Sequence, residues 1–179
     1  MLYTSESSAL HVLLVAATPL EVEGIIAALA HATPLGPHCT RGHWRGMTVD
    51  VLVTGVGMVN TALHMGCQLM RQHYDGLWNI GVCGSYDPQL PPVTVCQIIE
   101  DTYAELGADG EEEFLSLEQL GFMAFEAGGQ AYYNTLPNPC VLPLDLPRAT
   151  AVTVNTVNGS EAAAARTRAR WRKQLESME

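Results

Sequence analysis

Two glycine turns, each closing an apolar run, constrain this chain more than any other feature. The first reads Val51-Leu-Val-Thr-Gly55-Val-Gly57-Met-Val-Asn60 and the second Leu77-Trp-Asn-Ile-Gly81-Val-Cys-Gly84-Ser-Tyr86. Short continuous apolar runs suit strands buried on both faces. A glycine just past such a strand removes a Cβ where the backbone must come close to something. In open α/β sheets that something is usually a ligand, bound in the crevice beyond the carboxyl ends of the strands. Glycine also punctuates ordinary strand-to-helix loops, so one turn would decide nothing. Two in one chain make a small-molecule pocket the leading reading.

The remaining pattern fills in the layers. His11 to Ala16 is a continuous apolar strand, and Pro19 opens a helix in which Glu21 and Glu23 sit where the helix dipole favours negative charge. Ile25, Ile26 and Leu29 continue that helix as an apolar stripe. His43-Trp-Arg-Gly46 reads as a hairpin turn into a strand from Met47 to Thr54. Asn60 to His73 reads as a helix whose broad buried face holds Ala62, Leu63, Met65, Gly66, Leu69 and Met70. Leu77 to Val82, Val93 to Ile99 and Ala149 to Asn155 read as strands. Glu161 to Lys173 reads as a helix capped by Ser160. This alternation predicts an α/β fold with three α/β/α layers and a mostly parallel, mixed central sheet. Asp101 to Pro147, acidic at Glu111-Glu-Glu113 and rich in proline, reads as mostly loop with a short helix near Ser116 to Leu120. A loop of that length is expected to be a lid or an interface segment. No internal repeat or second domain is visible, so residues 1–179 are read as a single domain.

Composition removes several function classes. The chain has 179 residues, 47% of them hydrophobic, enough for one core. Its net charge is −10 with only nine Lys+Arg, so it offers no basic surface to nucleic acid or anionic lipid. Met1 to Leu10 lack the pattern of a signal peptide, and no apolar run is long enough for a membrane span. A cytoplasmic protein is expected. The five cysteines include no Cys-x-x-Cys pair and read as reduced thiols, mostly buried. His38-Cys39 with His43 could hold a metal. A polar turn before a strand is the simpler reading, because no second ligand pair follows at zinc spacing. No metal and no cofactor are expected.

Taken in order, these residues resemble the nucleoside phosphorylase/hydrolase superfamily on its hydrolase side. The resemblance runs from Val12 to Glu179. It rests on Ala16-Ala-Thr-Pro-Leu-Glu21-Val, Thr54-Gly-Val-Gly-Met-Val-Asn60, Asn79-Ile-Gly-Val-Cys-Gly84, Val152-Thr-Val-Asn-Thr-Val-Asn-Gly-Ser160 and Glu176-Ser-Met-Glu179. Leu106-Gly-Ala-Asp and Phe114-Leu-Ser-Leu-Glu-Gln-Leu-Gly121 tilt it toward the futalosine hydrolases, which serve an alternative menaquinone pathway. The methylthioadenosine/S-adenosylhomocysteine nucleosidases stand next.

The resemblance implies hydrolysis of an N-ribosyl bond, with release of hypoxanthine from futalosine. Glu21 would hold and activate the water; its alternative is a solvated acid at a helix N-terminus. Asn155, Thr156 and Val157 would line the base site, or else form an ordinary strand-to-helix turn. Val82, Cys83 and Gly84 would floor the ribose pocket, or else be core. Met178 would pack on the sugar, and Glu179 would accept hydrogen bonds from its 2′- and 3′-hydroxyls, or else be a terminal acid.

No arginine stands near either glycine turn in the sequence to hold a phosphate dianion, so water is the expected acceptor. The superfamily pattern continues past the Met-Glu pair into Gly-Ala-Ala, a helix and a strand that ends in a catalytic Asp. This sequence stops at Glu179, and a fragment or a non-catalytic nucleoside-binding remnant is the competing expectation. The related nucleosidases form dimers in which a partner loop closes the pocket. A homodimer or higher homo-oligomer is therefore implied, with Asp101 to Pro147 as the candidate loop.

Overall fold

The computed structural model describes residues 9–111 and 113–178. The first eight residues, Glu112 and Glu179 lie outside the described residues, and so does the role given to Glu179. The chain divides at Val82 into two compact units.

The first unit is built around β1 (His11–Ala16), followed by α1 (Pro19–Ala28), β2 (Ala30–Pro34), β3 (Cys39–Trp44), β4 (Met47–Val53), α2 (Met58–Leu69) and β5 (Gly76–Asn79). The sheet order is β2-β3-β4-β1-β5. Strand β1 runs parallel to both of its neighbours, β4 and β5, while β3 joins β4 as an antiparallel hairpin. The hairpin turns at Arg45 (φ 47°) and Gly46 (φ 83°). Two successive left-handed residues match the twist of the flanking strands.

Alternation along β1 sorts its residues between two cores. Val12 and Ala16 pack with Val22 and Leu29 of the α1 side; Leu13 and Val15 face Cys39, Leu52 and Met65 on the α2 side. Full burial of each valine or leucine among them contributes about 1.5–3 kcal/mol. The sheet is mixed and carries a helix on each face, as the sequence predicts.

The second unit contains β6 (Gly84–Ser85), β7 (Gln97–Tyr103), β8 (Gly107–Asp109), β9 (Phe114–Ser116), α3 (Leu117–Leu120), β10 (Phe125–Ala127), β11 (Gln130–Tyr132), β12 (Thr135–Pro137), β13 (Arg148–Thr153), α4 (Glu161–Trp171) and β14 (Leu175–Ser177). Its main sheet has the order β12-β7-β13-β14-β6, with β13 parallel to β7 and β14. Ser160 Oγ accepts the Ala163 N–H at 3.3 Å and caps α4.

Several expectations are corrected. Residues 101–147 lie more than half outside regular elements and carry α3 where the short helix is expected, but they also hold the end of β7 and five short strands. Strands of three residues carry too few alternations to be legible in sequence. The strand expected from Val93 begins instead at Gln97, because Pro91, Pro92 and the left-handed Val93 (φ 64°) put a turn first. Helix α2 does not bury a broad apolar face. Its sheet contact runs through buried Thr61 and half-buried Met65, leaving Leu63, Leu69 and Met70 exposed. The cysteines are not mostly buried: Cys39 is buried and Cys96 half-buried, while Cys67, Cys83 and Cys140 are exposed. Burial, reinforced by the charge of Asp50, raises the Cys39 pKa to about 11 despite the opposing Arg41.

Candidate active site

In the first unit the first glycine turn, the start of the second at Ile80 to Val82, and Glu21 meet at the carboxyl end of β1. Thr54 N–H donates to the Ala16 carbonyl at 2.9 Å and Gly55 N–H to the Ala17 carbonyl at 3.0 Å. Gly55 (φ 84°) and Gly57 (φ 101°) hold left-handed backbone that a side chain would strain. On the other side of β1, Ile80 N–H donates to the Val15 carbonyl at 2.9 Å and brings the second turn alongside.

Glu21 lies between these turns because Pro19 begins α1 and makes it the third helical residue. Its Oε2 accepts from the Thr18 N–H at 2.7 Å and the Thr18 hydroxyl at 2.9 Å. That half of the carboxylate acts as the helix-terminal acid of the alternative reading. Its Oε1 does something a cap does not require: it accepts the Val82 N–H, 61 residues away, at 3.0 Å. Gly81 permits that reach, since a Cβ there would stand 2.7 Å from Oε1. Glu21 is half-buried and held from both ends. Such a carboxylate is oriented without being used up: an ionised carboxylate has about four acceptor positions, leaving one to hold and deprotonate a water.

Within the second unit, Asn155, Thr156 and Val157 form an exposed loop directly after β13. The Asn155 N–H donates to Glu105 Oε2 at 2.6 Å. One backbone donor of the loop expected to line the base site is thus engaged by a carboxylate that sequence reasoning did not single out. Below this loop stands Glu176, 7% exposed. Its Oε1 accepts the Asn158 N–H at 2.9 Å, and its Oε2 accepts from the Tyr86 hydroxyl and the Asn158 amide. Asn158 Nδ2 also donates to Tyr86 Oη at 2.9 Å. Burial, and then the adjoining Glu176 carboxylate, push the Tyr86 pKa well above a phenol's usual range.

This network anchors the loop to β14. It was missed because its members stand 18 and 90 residues apart along the chain. The only signal was an acid, Glu176, inside the quoted Glu-Ser-Met-Glu run.

The remaining assigned residues are placed as follows. Val82 is 77% exposed and contributes its N–H rather than its side chain. Cys83 and Gly84 are exposed, which corrects their core alternative, and Gly84 pairs with Glu176 across β6 and β14. Met178 is half-buried and packs on Ala104, Val152 and Val154. Among the described residues no group of three His, Cys, Asp or Glu side chains is arranged to hold a metal. None of the helices among them is long and apolar enough to cross a membrane. Arg41 is committed to Asp50, at 2.7 and 2.8 Å.

Comparison with known proteins gives this geometry a context. Residues 11–179 match the family model of the phosphorylase superfamily. The futalosine hydrolase of Thermus thermophilus is 30% identical over 146 residues, which cover 76% of this chain and 62% of that protein. The chain thus spans less than two thirds of the curated relative that it matches. Among solved structures, the 5′-methylthioadenosine/S-adenosylhomocysteine nucleosidase of Colwellia psychrerythraea, in complex with adenine, superposes with a TM-score of 0.73 at 18% identity. That match covers 96% of this chain and 73% of the other. The corresponding Helicobacter pylori nucleosidase gives a TM-score of 0.76 at 12% identity, covering 97% and 76%. At these identities the structural matches establish the fold alone.

Proposed function

The chain belongs to the phosphorylase superfamily, and from that premise we propose that it carries the machinery of a purine nucleoside N-ribohydrolase acting on futalosine. The observation that supports this most is the double tether of Glu21 to Thr18 and Val82. Cleaving an N-ribosyl bond with water passes through an oxocarbenium-like state. It needs a carboxylate that can orient a water and take its proton, and general-base assistance of this kind is worth about 10²–10⁴ in rate. Glu21 has that role in this reading. Asn155, Thr156 and Val157 line the base, Val82, Cys83 and Gly84 the ribose, and Met178 and Glu179 grip the sugar.

Water rather than phosphate is the acceptor. Among the described residues the donors to Glu21 are Thr18 and Val82, neither of them a cation, and a phosphate dianion in a pocket requires charged donors. The whole protein is read as one nucleoside hydrolase-like domain that works as a homo-oligomer, with no resident cofactor. The futalosine assignment rests on the 30% identity to the Thermus enzyme.

The test is to supply futalosine and methylthioadenosine separately to one preparation of the whole protein and follow free base by chromatography. Hypoxanthine release well above adenine release is the expected result. Faster adenine release assigns the protein to the methylthioadenosine branch. Release of neither base, with nucleoside binding retained, makes it a binding protein.

A further inference from the structure

We propose that the cavity under α2 in the first unit is an oxyanion site, shaped for inorganic phosphate or the phosphate group of a small metabolite. It lies on the α2 face of the sheet, whereas Glu21 belongs to α1, which covers the other face. Its volume is about 540 Å³, within the range of small-molecule sites and larger than a single phosphate needs.

The lining is what points to an anion. His38, Arg41, His64 and Arg71 all border the cavity, and no Asp or Glu does. The whole chain has only nine Lys+Arg and six His at a net charge of −10. An acid-free cavity holding two of those arginines and two of those histidines runs against the composition. The helix explains the convergence: His64, Gln68 and Arg71 follow at i, i+4 and i+7, which places them along one face of α2 and its extension. From the opposite wall come His38 and the β3 residues Cys39 and Arg41, with Asp50 behind them.

The donors at the mouth are also uncommitted. Among the described residues the side chains of His38, His64 and Arg71 have no hydrogen-bonding or ion-pair partner, the two imidazoles meeting only ring to ring at 4.2 Å. Arg41 gives Nε and Nη2 to Asp50, with Nη2 also 3.3 Å from His11 Nε2, and its Nη1 is bonded to nothing among the described residues. A guanidinium only donates, and an imidazole offers a donor in either protonation state. The uncommitted side chains of His38, His64 and Arg71, with Arg41 Nη1 beside them, are satisfied by an oxyanion, for which the arginine fork gives directional bonds.

The experiment is a titration of the 179-residue chain, labelled at histidine, with inorganic phosphate at constant ionic strength made up with sodium chloride. The His38 and His64 ring resonances should move saturably and together in the millimolar range. Arg71→Gln and His64→Gln should each weaken binding about tenfold, the usual loss for one strong donor to a charged group. Arg148→Gln, a charge loss in the other unit, should leave it unchanged. Ribose 5-phosphate separates the two sources. Binding tighter than that of inorganic phosphate assigns the site to a phosphorylated metabolite, and weaker binding assigns it to the free anion. Ring shifts that chloride reproduces, or that survive Arg71→Gln undiminished, overturn the proposal. Arg71 is exposed, so its variant tests the site without risk to the fold.

Discussion

Glu21 Oε1 accepts the Val82 N–H at 3.0 Å, and this bond joins the first turn of α1 to the second residue of the Gly81–Gly84 turn. The same carboxylate caps its own helix through Oε2. In the proposed reading this one side chain combines a structural and a chemical role, and the two are separable by substitution.

Glu21→Gln should remove catalysis while sparing the fold. The amide can satisfy either Thr18 or Val82 as an acceptor, but not both with oxygen, so a stability loss of about 1 kcal/mol is expected, the size of a lost cap. The loss in rate should be about 10²–10⁴, because an amide cannot take a proton from water. Steady-state base release, set beside equilibrium binding of an uncleavable nucleoside, reads both. A variant within a few-fold of the parent rate takes Glu21 out of the mechanism.

Two glycine-to-alanine changes should behave oppositely. At Gly81 the new Cβ meets Glu21 Oε1 at 2.7 Å, the far end of a flexible side chain. The carboxylate swings aside, stability changes little, and the rate should fall at least about tenfold, since small misplacements of a positioned group are costly. At Gly42 the new Cβ meets Leu29 Cβ at 2.6 Å inside the α1-side core. Overpacking of that kind costs about 1–3 kcal/mol. Thermal melts and base-release rates on both variants distinguish them. A Gly81→Ala protein that keeps full rate means that the Glu21–Val82 bond is dispensable.

What the sequence made legible follows from the range of each signal. Strand β1 and helix α1 announce themselves locally, through an apolar run, Pro19 and an acid in the first turn. Helix α4 does so through Ser160. Glu21 was legible for the same reason, its position being fixed by Pro19 two residues before it. The Val82 contribution was not, because it is a backbone donor and carries no residue type. Glu176 was hidden because burial of a carboxylate depends on Tyr86 and Asn158, which only the second sheet brings to it. The face of α2 was misjudged for a related reason. Its apolar residues are spread round the helix among Asn60, Thr61, His64 and Gln68, and only the position of the sheet decides that Met65 packs while Leu63 is 58% exposed.

The Tyr86–Glu176–Asn158 network gives a prediction about affinity. Tyr86→Phe removes the hydroxyl that donates to Glu176 Oε2 and leaves a buried carboxylate one donor short. A stability loss of about 1–3 kcal/mol is expected. Loosening of Asn158 should spread to Asn155, Thr156 and Val157, so KM should rise several-fold while kcat changes less. An unchanged KM would separate the loop from the base site.

The Asp50 cluster yields a pH signature. Asp50 is fully buried on β4, where burial alone would raise its pKa. Hydrogen bonds from Arg41 and Tyr74, with the charges of Arg41 and His11, outweigh that and hold it below the usual carboxylate value. A folded pKa below the unfolded value of about 3.9 means stability that is present above that pH and lost as the pH falls further. Arg41→Met removes the largest opposing contribution and leaves the burial. The carboxylate pKa then rises above its unfolded value, so the sign reverses and the variant gains stability relative to the parent as acid protonates Asp50. At pH 7 the loss should be about 3 kcal/mol, the low end for breaking a buried ion pair, because the Arg41 side chain is itself 32% exposed. Urea denaturation of parent and variant at pH 7 and near pH 4.5 measures the difference at each. It should shrink toward the lower pH, and an equal loss at both would mean that Arg41 acts through packing and not through the charge of Asp50.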